Sequence, residues 1–207
     1  MTAVLPRLTR SERQAANREL LIDAAEATFR RDGLHAASVA GVAAWAGLTT
    51  GAVYSNFAGK EALFLAVLDR HYEERSLSLL AALDGAPSLD VLLDRVTEWF
   101  AAVLCSEPQW PLMMVEFAAH ARTSDALRTA LRERHQLARD ALAGLLDAEA
   151  ARFGVSLPDR SARIASAIFG LGHGLVVQRL LDETEDASDV FRVALRALLG
   201  LSKGEPS

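Results

Sequence analysis

The chain has 207 residues, enough for one large domain or two small ones, and 51% of them are hydrophobic, ample for a buried core. The formal charge of −5 taken alone argues against nucleic acid as a partner, but the deficit is uneven: residues 1–75 are neutral, and no carboxylate lies between Gly33 and Lys60. A single cysteine, Cys105, excludes an intrachain disulfide and fits a reducing cytoplasm; no apolar signal segment is evident, and the charge-free run from Ile164 to Gln178 is too short to span a bilayer.

Taken in order, residues 1–10 read as a flexible basic arm. Pro6 breaks any helix, and Arg7 and Arg10 are free to touch phosphates or a minor groove, or simply to be solvated. Ser11 to Asp32 is a helix, with Leu20, Leu21, Ala24, Ala25, Thr28 and Phe29 forming the apolar stripe and Arg30 and Arg31 at its negative end. Gly33 is expected to end it as a left-handed cap. Val39, Val42, Ala43 and Ala46 then recur at helical spacing, Gly47 and Leu48 interrupt, and a second short pattern runs through Ala52, Val53 and Phe57. Ser38 and Thr49 are suited to cap these two helices, because a hydroxyl accepts the orphan N–H groups of a first turn. Ala43 allows a close crossing, Gly47 supplies the positive φ of a tight turn, and Val53 points back between the helices. That is a helix-turn-helix. Its carboxylate-free surface is what a face turned to phosphates requires.

The stretch AGLTTGAVYSNFAGKEALFLAVL resembles the DNA-binding signature of TetR-family transcriptional regulators at Ala46, Gly47, Leu48, Thr49, Gly51, Val53, Tyr54, Phe57, Lys60 and Leu63. Together with the preceding helix the resemblance covers about the first third of the chain. It implies that Thr49 to Asn56 is the recognition helix and that Tyr54 reaches a phosphate through its hydroxyl. The expected DNA-facing set is Ser38, Thr49, Thr50, Gly51, Tyr54, Ser55, Asn56 and Lys60. Gly51 permits close backbone approach, and Lys60 pairs with a phosphate beside the N-terminus of the next helix. Trp45 and Ala58-Gly59 depart from the family pattern; Trp45 is open to packing on the arm or lying near DNA.

Lys60 to Leu83 reads as one long helix with Leu63, Phe64, Val67 and Leu68 on its apolar face, ended by Asp84-Gly85-Ala86-Pro87. Leu89 to Cys105 is strongly amphipathic, and Cys105 is expected on its buried face. After a break at Ser106-Glu107-Pro108, Trp110 to Thr123 is helical, and Ser124 caps a long helix to about Phe153. Gly154 to Pro158 is a loop. Arg160 to Leu181 is apolar nearly all round, and Asp189 to Leu201 is again amphipathic. These last two helices make a dimer surface of Ile164, Ile168, Leu171, Leu175, Val190, Ala194 and Leu198 that pairs with its symmetry mate as a four-helix bundle. The fold class is therefore all-α: an N-terminal three-helix helix-turn-helix domain over 1–58, a helical ligand-binding and dimerisation domain over 59–201, and a disordered tail over 202–207.

Trp99, Phe100, Trp110, Met113, Met114, Phe117 and Phe169 either fill the core of the second domain or line a cavity for a small apolar or amphipathic ligand. In the second case His120, Glu116 or His173 would supply polar contacts; the family resemblance favours the cavity. Gly170, Gly172 and Gly174 lack the preceding strand of a phosphate loop and read as close helix packing. Glu116 and His120 stand four apart with no third ligand, so no metal is expected. No nucleophile, base and orienter set is evident, so neither catalysis nor a cofactor is expected. The chain reads as a ligand-responsive repressor of this type, binding a palindromic operator as a homodimer, with double-stranded DNA, a second copy and a small-molecule effector as partners and no membrane. The alternatives are a DNA-binding protein of the same fold without a switch, and a helical ligand-binding or scaffold protein.

Overall fold

A computed structural model describes residues 9–106, 109–182 and 186–201, and every regular element among them is a helix. These are α1 (Arg10–Ala36), α2 (Val39–Trp45), α3 (Thr50–Asn56), α4 (Lys60–Leu83), α5 (Leu89–Ser106), α6 (Trp110–Ala121), α7 (Asp125–Phe153), α8 (Ser161–Leu181) and α9 (Ala187–Leu198). The all-α, two-domain architecture is as the sequence implies, with compact units at Met1–His71 and Tyr72–Ser207. Residues 1–8 of the expected arm, the tail from Ser202, and Glu107-Pro108 of the expected break lie outside the described residues.

In the first unit, α1 opens on a capping box. Thr9 Oγ1 accepts the Glu12 N–H at 3.2 Å, and the Glu12 carboxylate accepts the Thr9 N–H at 2.6 Å. The bonds to Thr9 hold the Glu12 carboxyl below its usual range. The buried stripe is Leu21, Ile22, Ala24, Ala25, Thr28 and Phe29, while Leu20, expected inside, is 49% exposed. The buried Thr28 hydroxyl donates to the Ala24 carbonyl at 2.7 Å, so that hydroxyl is not stranded. Gly33 has a positive φ but is not a left-handed cap: at φ 74°, ψ 166° it kinks the chain, and one further turn runs to Ala36. A side chain would be strained there.

The first half of α4 completes this core. Leu63, Phe64, Val67 and Leu68 are at most 1% exposed, and the Phe64 ring packs on Phe29 at 5.6 Å. Arg70 adds ion pairs to Asp23 and Glu26 of α1. A stripe this continuous cannot be left behind at residue 58 without exposing it, which is why the compact unit extends to His71.

The second unit holds the rest of α4 and α5 to α9. Its main core joins Leu93, Phe100 and Leu104 of α5, Ile164, Leu175 and Val176 of α8, and Phe191 and Leu195 of α9. Phe100 and Phe191 stack at 3.9 Å. Ser124 Oγ caps α7 by accepting the Leu127 N–H, and Gly154 ends that helix in the left-handed region at φ 66°, ψ 29°. Two expectations are corrected here. Ile164 and Leu175 are 3% and 4% exposed inside the protomer's own core, so neither can meet a second copy. Cys105 is exposed near the end of α5, with Arg179 Nη2 at 3.6 Å from its sulfur, because α5 turns it off the buried stripe that Leu104 occupies. Among the described residues no helix is long and apolar enough to cross a membrane.

Candidate nucleic-acid interface

The helix-turn-helix is set by local hydrogen bonds. Ser38 Oγ accepts the Gly41 N–H at 3.0 Å and starts α2; Thr49 Oγ1 accepts the Ala52 N–H at 3.2 Å and starts α3. Between them Gly47 takes φ 65°, and the Leu48 N–H returns to the Ala43 carbonyl at 2.9 Å. Val42, Ala43 and Val53 are at most 2% exposed and lock α2 and α3 together. Each helix thus has its buried side fixed, and the opposite side of α3 is left outward.

Thr50, Gly51, Tyr54 and Ser55 are exposed on that side, Tyr54 by 63%. A side chain this exposed is not a packed core aromatic. Among the described residues the Thr50 and Tyr54 hydroxyls make no hydrogen bond, so both can donate to a ligand. Ser55 Oγ donates to the Ala52 carbonyl at 2.9 Å, and the Asn56 amide donates to the same carbonyl at 2.8 Å. Those two side chains are folded back along the helix and must turn to reach a base. Ser38 and Thr49 spend acceptor capacity on their caps but keep their own protons. Trp45, at the end of α2, is 55% exposed.

Lys60 has a different task from the expected one. Its Nζ donates to the carbonyls of Leu34 at 2.9 Å, His35 at 3.3 Å and Ala37 at 3.1 Å. An ammonium has three protons, and three acceptors receive them. The physical reason lies in the helix ends. Lys60 opens α4, where a cation is unfavourable, while the final carbonyls of α1 have no intrahelical partners and carry the negative end of a dipole. The side chain bridges from the wrong end of one helix to the right end of another.

In the second unit the expected aromatic and methionine group is divided between two places. Trp110, Met113, Met114 and Phe117 are buried on α6 at 6%, 3%, 4% and 0% exposure. Phe100 and Trp99 belong to the α5–α8–α9 core, and the Trp99 indole N–H donates to Ser78 Oγ at 3.0 Å. His120 is exposed on α6, as is Glu116, and neither lines an interior. Phe169 and His173 share one face of α8 with rings 6.3 Å apart. Tyr72 and His135, which no sequence motif marks, meet with Oη and Nδ1 3.1 Å apart, and His135 faces His173 at 6.4 Å between rings. A signal was present: His135 lies four residues after the buried Leu131 on the inward stripe of α7. Among the described residues no group of three or more His, Cys, Asp or Glu side chains is placed to hold a metal.

A capped helix-turn-helix with its polar face turned outward is the arrangement of a DNA-binding domain. Residues 21–67 match the family described as bacterial regulatory proteins, tetR family. Residues 21–67, which hold the helix-turn-helix, thus carry a TetR-family domain. Its whole fold is similar to solved structures of low identity. A Rhodococcus sp. protein assigned to the TetR regulators superimposes with a TM-score of 0.73 at 21% identity, over 89% of this chain and 99% of that one. Salmonella enterica GusR gives 0.72 at 19%, over 94% and 100%, and Bacillus subtilis FadR in complex with stearoyl-CoA gives 0.68 at 18%, over 87% and 97%. The curated proteins contain no match.

Proposed function

We propose that this regulator is a homodimeric repressor that binds a palindromic operator and is released by a small amphipathic effector. The observation that carries the DNA part is the outward face of α3, where Thr50, Gly51, Tyr54 and Ser55 are exposed within a stretch free of carboxylates. The N-terminal turn of α3 approaches base edges in the major groove, Tyr54 holds a phosphate, and Lys60 keeps the α1 end in place beneath them. Symmetry would set two recognition helices about 34–36 Å apart. The dimer face is the outward side of α8 and α9, with Ala167, Gly170 and Gly174 exposed on one and Val193, 53% exposed, on the other. Ile168, Leu171, Val190 and Leu198 pack half-buried against the protomer core, Ala194 is half-buried on α9, and all five contribute at its margin.

Release follows if the effector favours a helix spacing that no longer fits DNA, a coupling typically of about 1–3 kcal/mol. Support for an effector comes from the part-buried polar cluster of the second unit, and the related FadR fold holds stearoyl-CoA. The test is fluorescence anisotropy of the purified protein on its own upstream DNA and on random DNA across salt concentrations. Preferential, salt-sensitive binding is expected. Equal weak binding to both, unchanged after stripping any bound ligand, would refute the DNA reading in favour of a ligand-binding or scaffold role.

A further inference from the structure

We propose that Arg18 is a phosphate contact made from outside the helix-turn-helix, a cation that α1 holds against the end of α3 to clamp the DNA backbone there. This rests on the DNA-binding reading above and names a residue for it. The motif itself is short of charge. From Leu34 to Gly59 the sequence has neither Arg nor Lys, and the lysine that follows, Lys60, spends its protons on three carbonyls. Affinity for a polyanion comes largely from cations that displace its counterions, so the face that carries α3 needs one from elsewhere in the first unit. Several arginines there are already committed. Arg30 pairs with Glu26 at 2.7 Å, Arg31 with Asp32 at 2.7 Å, and Arg70 with Asp23 and Glu26.

Arg18 is exposed and makes no hydrogen bond or ion pair among the described residues. Its contact is with a ring: the guanidinium carbon stands over Phe57, 4.7 Å from the centroid. Phe57 is the C-cap of α3, its N–H donates to the Val53 carbonyl, and it is 6% exposed. The charge is thus held at the C-terminal end of α3, next to Asn56. A helix of seven residues is about 10 Å long and the major groove is about 12 Å wide. A helix whose first turn meets base edges therefore has its far end beside a bordering strand. A guanidinium that meets a ring through its face keeps its N–H donors along its edge, the arrangement that takes two oxygens of one phosphate. The same contact orders a long side chain before the phosphate arrives, which lowers the entropy lost on binding. No acid opposes it on α1: the residues one turn away are Gln14, Ala15, Leu21 and Ile22.

The experiment is fluorescence anisotropy of the full chain, Arg18→Gln and Arg18→Lys on its own upstream DNA and on random DNA, from about 50 to 200 mM salt, with thermal melting beside it. Arg18→Gln is expected to weaken both DNAs by the same factor and to flatten the slope of log K against log salt by about 0.9 for each half-site. Arg18→Lys keeps the charge and is expected to keep the parent slope. If Arg18 only covers Phe57, Arg18→Gln lowers Tm and leaves the slope unchanged, and that result overturns the inference. A loss confined to the upstream DNA overturns it too, because it marks a base contact. In both of those cases the parent chain still binds its upstream DNA preferentially, and the DNA-binding reading stands. A parent chain without salt-sensitive binding refutes that reading and the part of Arg18 in it together.

Discussion

Replacing Lys60 by Met keeps the length and much of the packing of the side chain but removes three hydrogen bonds to the carbonyls of Leu34, His35 and Ala37. A net contribution of roughly 0.5–1.5 kcal/mol per bond, reduced because the ammonium is only part-buried, gives a loss of about 2 kcal/mol. For a chain of this size melting as one, that lowers Tm by roughly 4–8 °C. Phosphate pairing makes a different prediction: loss of one neutralised phosphate per protomer flattens the slope of log K against log salt by about 0.9 for each half-site. Lys60→Met should therefore lower Tm and leave the salt slope intact, measured by thermal melting and by anisotropy well below the melting point. An unchanged Tm with a flattened slope would show that the ammonium leaves the α1 carbonyls for DNA and would refute the staple.

Tyr54→Phe removes an exposed hydroxyl with no partner among the described residues, so it should weaken operator and random DNA by a similar factor, about fivefold to tenfold for one hydrogen bond of ~1 kcal/mol, with Tm unchanged. Thr50→Ala should instead narrow the gap between operator and random DNA, a loss of roughly 1 kcal/mol or more if the hydroxyl reads a base; equal losses on both count against base contact. His135 gives a pH dependence. Its folded pKa is depressed from 6.5, first by burial and then by His173 and Arg139, so the unfolded chain binds more protons between the two values. That contribution to stability is complete above about pH 6.5 and is lost as pH falls below it. Urea midpoints at pH 5.5 and 7.5 should therefore differ less in His135→Gln than in the parent chain. Val193→Asp should convert a dimer to a monomer by light scattering if the outward face of α9 pairs the copies.

The sequence by itself determined what depends on neighbours in the chain. Ser38, Thr49 and Ser124 cap the helices that their hydroxyls mark, Gly47 and Gly154 take the positive φ of their turns, and the apolar stripes of α1, α4 and α5 bury largely as spaced. The capping box at Thr9 and Glu12 was written in the same local code, and the α1 start moves with it. Tertiary structure decided what each face meets. Helical periodicity gives Ile164 and Leu175 an inward side but cannot say whether that side meets α5 and α9 or a second copy; the filled core decides. It gives Lys60 a position at a helix start but not the three carbonyls, 23 to 26 residues earlier, that collect its protons. Tyr72, His135 and His173 are separated by 38 residues or more in sequence, and only the packing of α4, α7 and α8 brings them together. A hydrogen-bonding or charged group takes its role from the partner it finds, and partners distant in sequence are set by how helices cross, which no short stretch encodes.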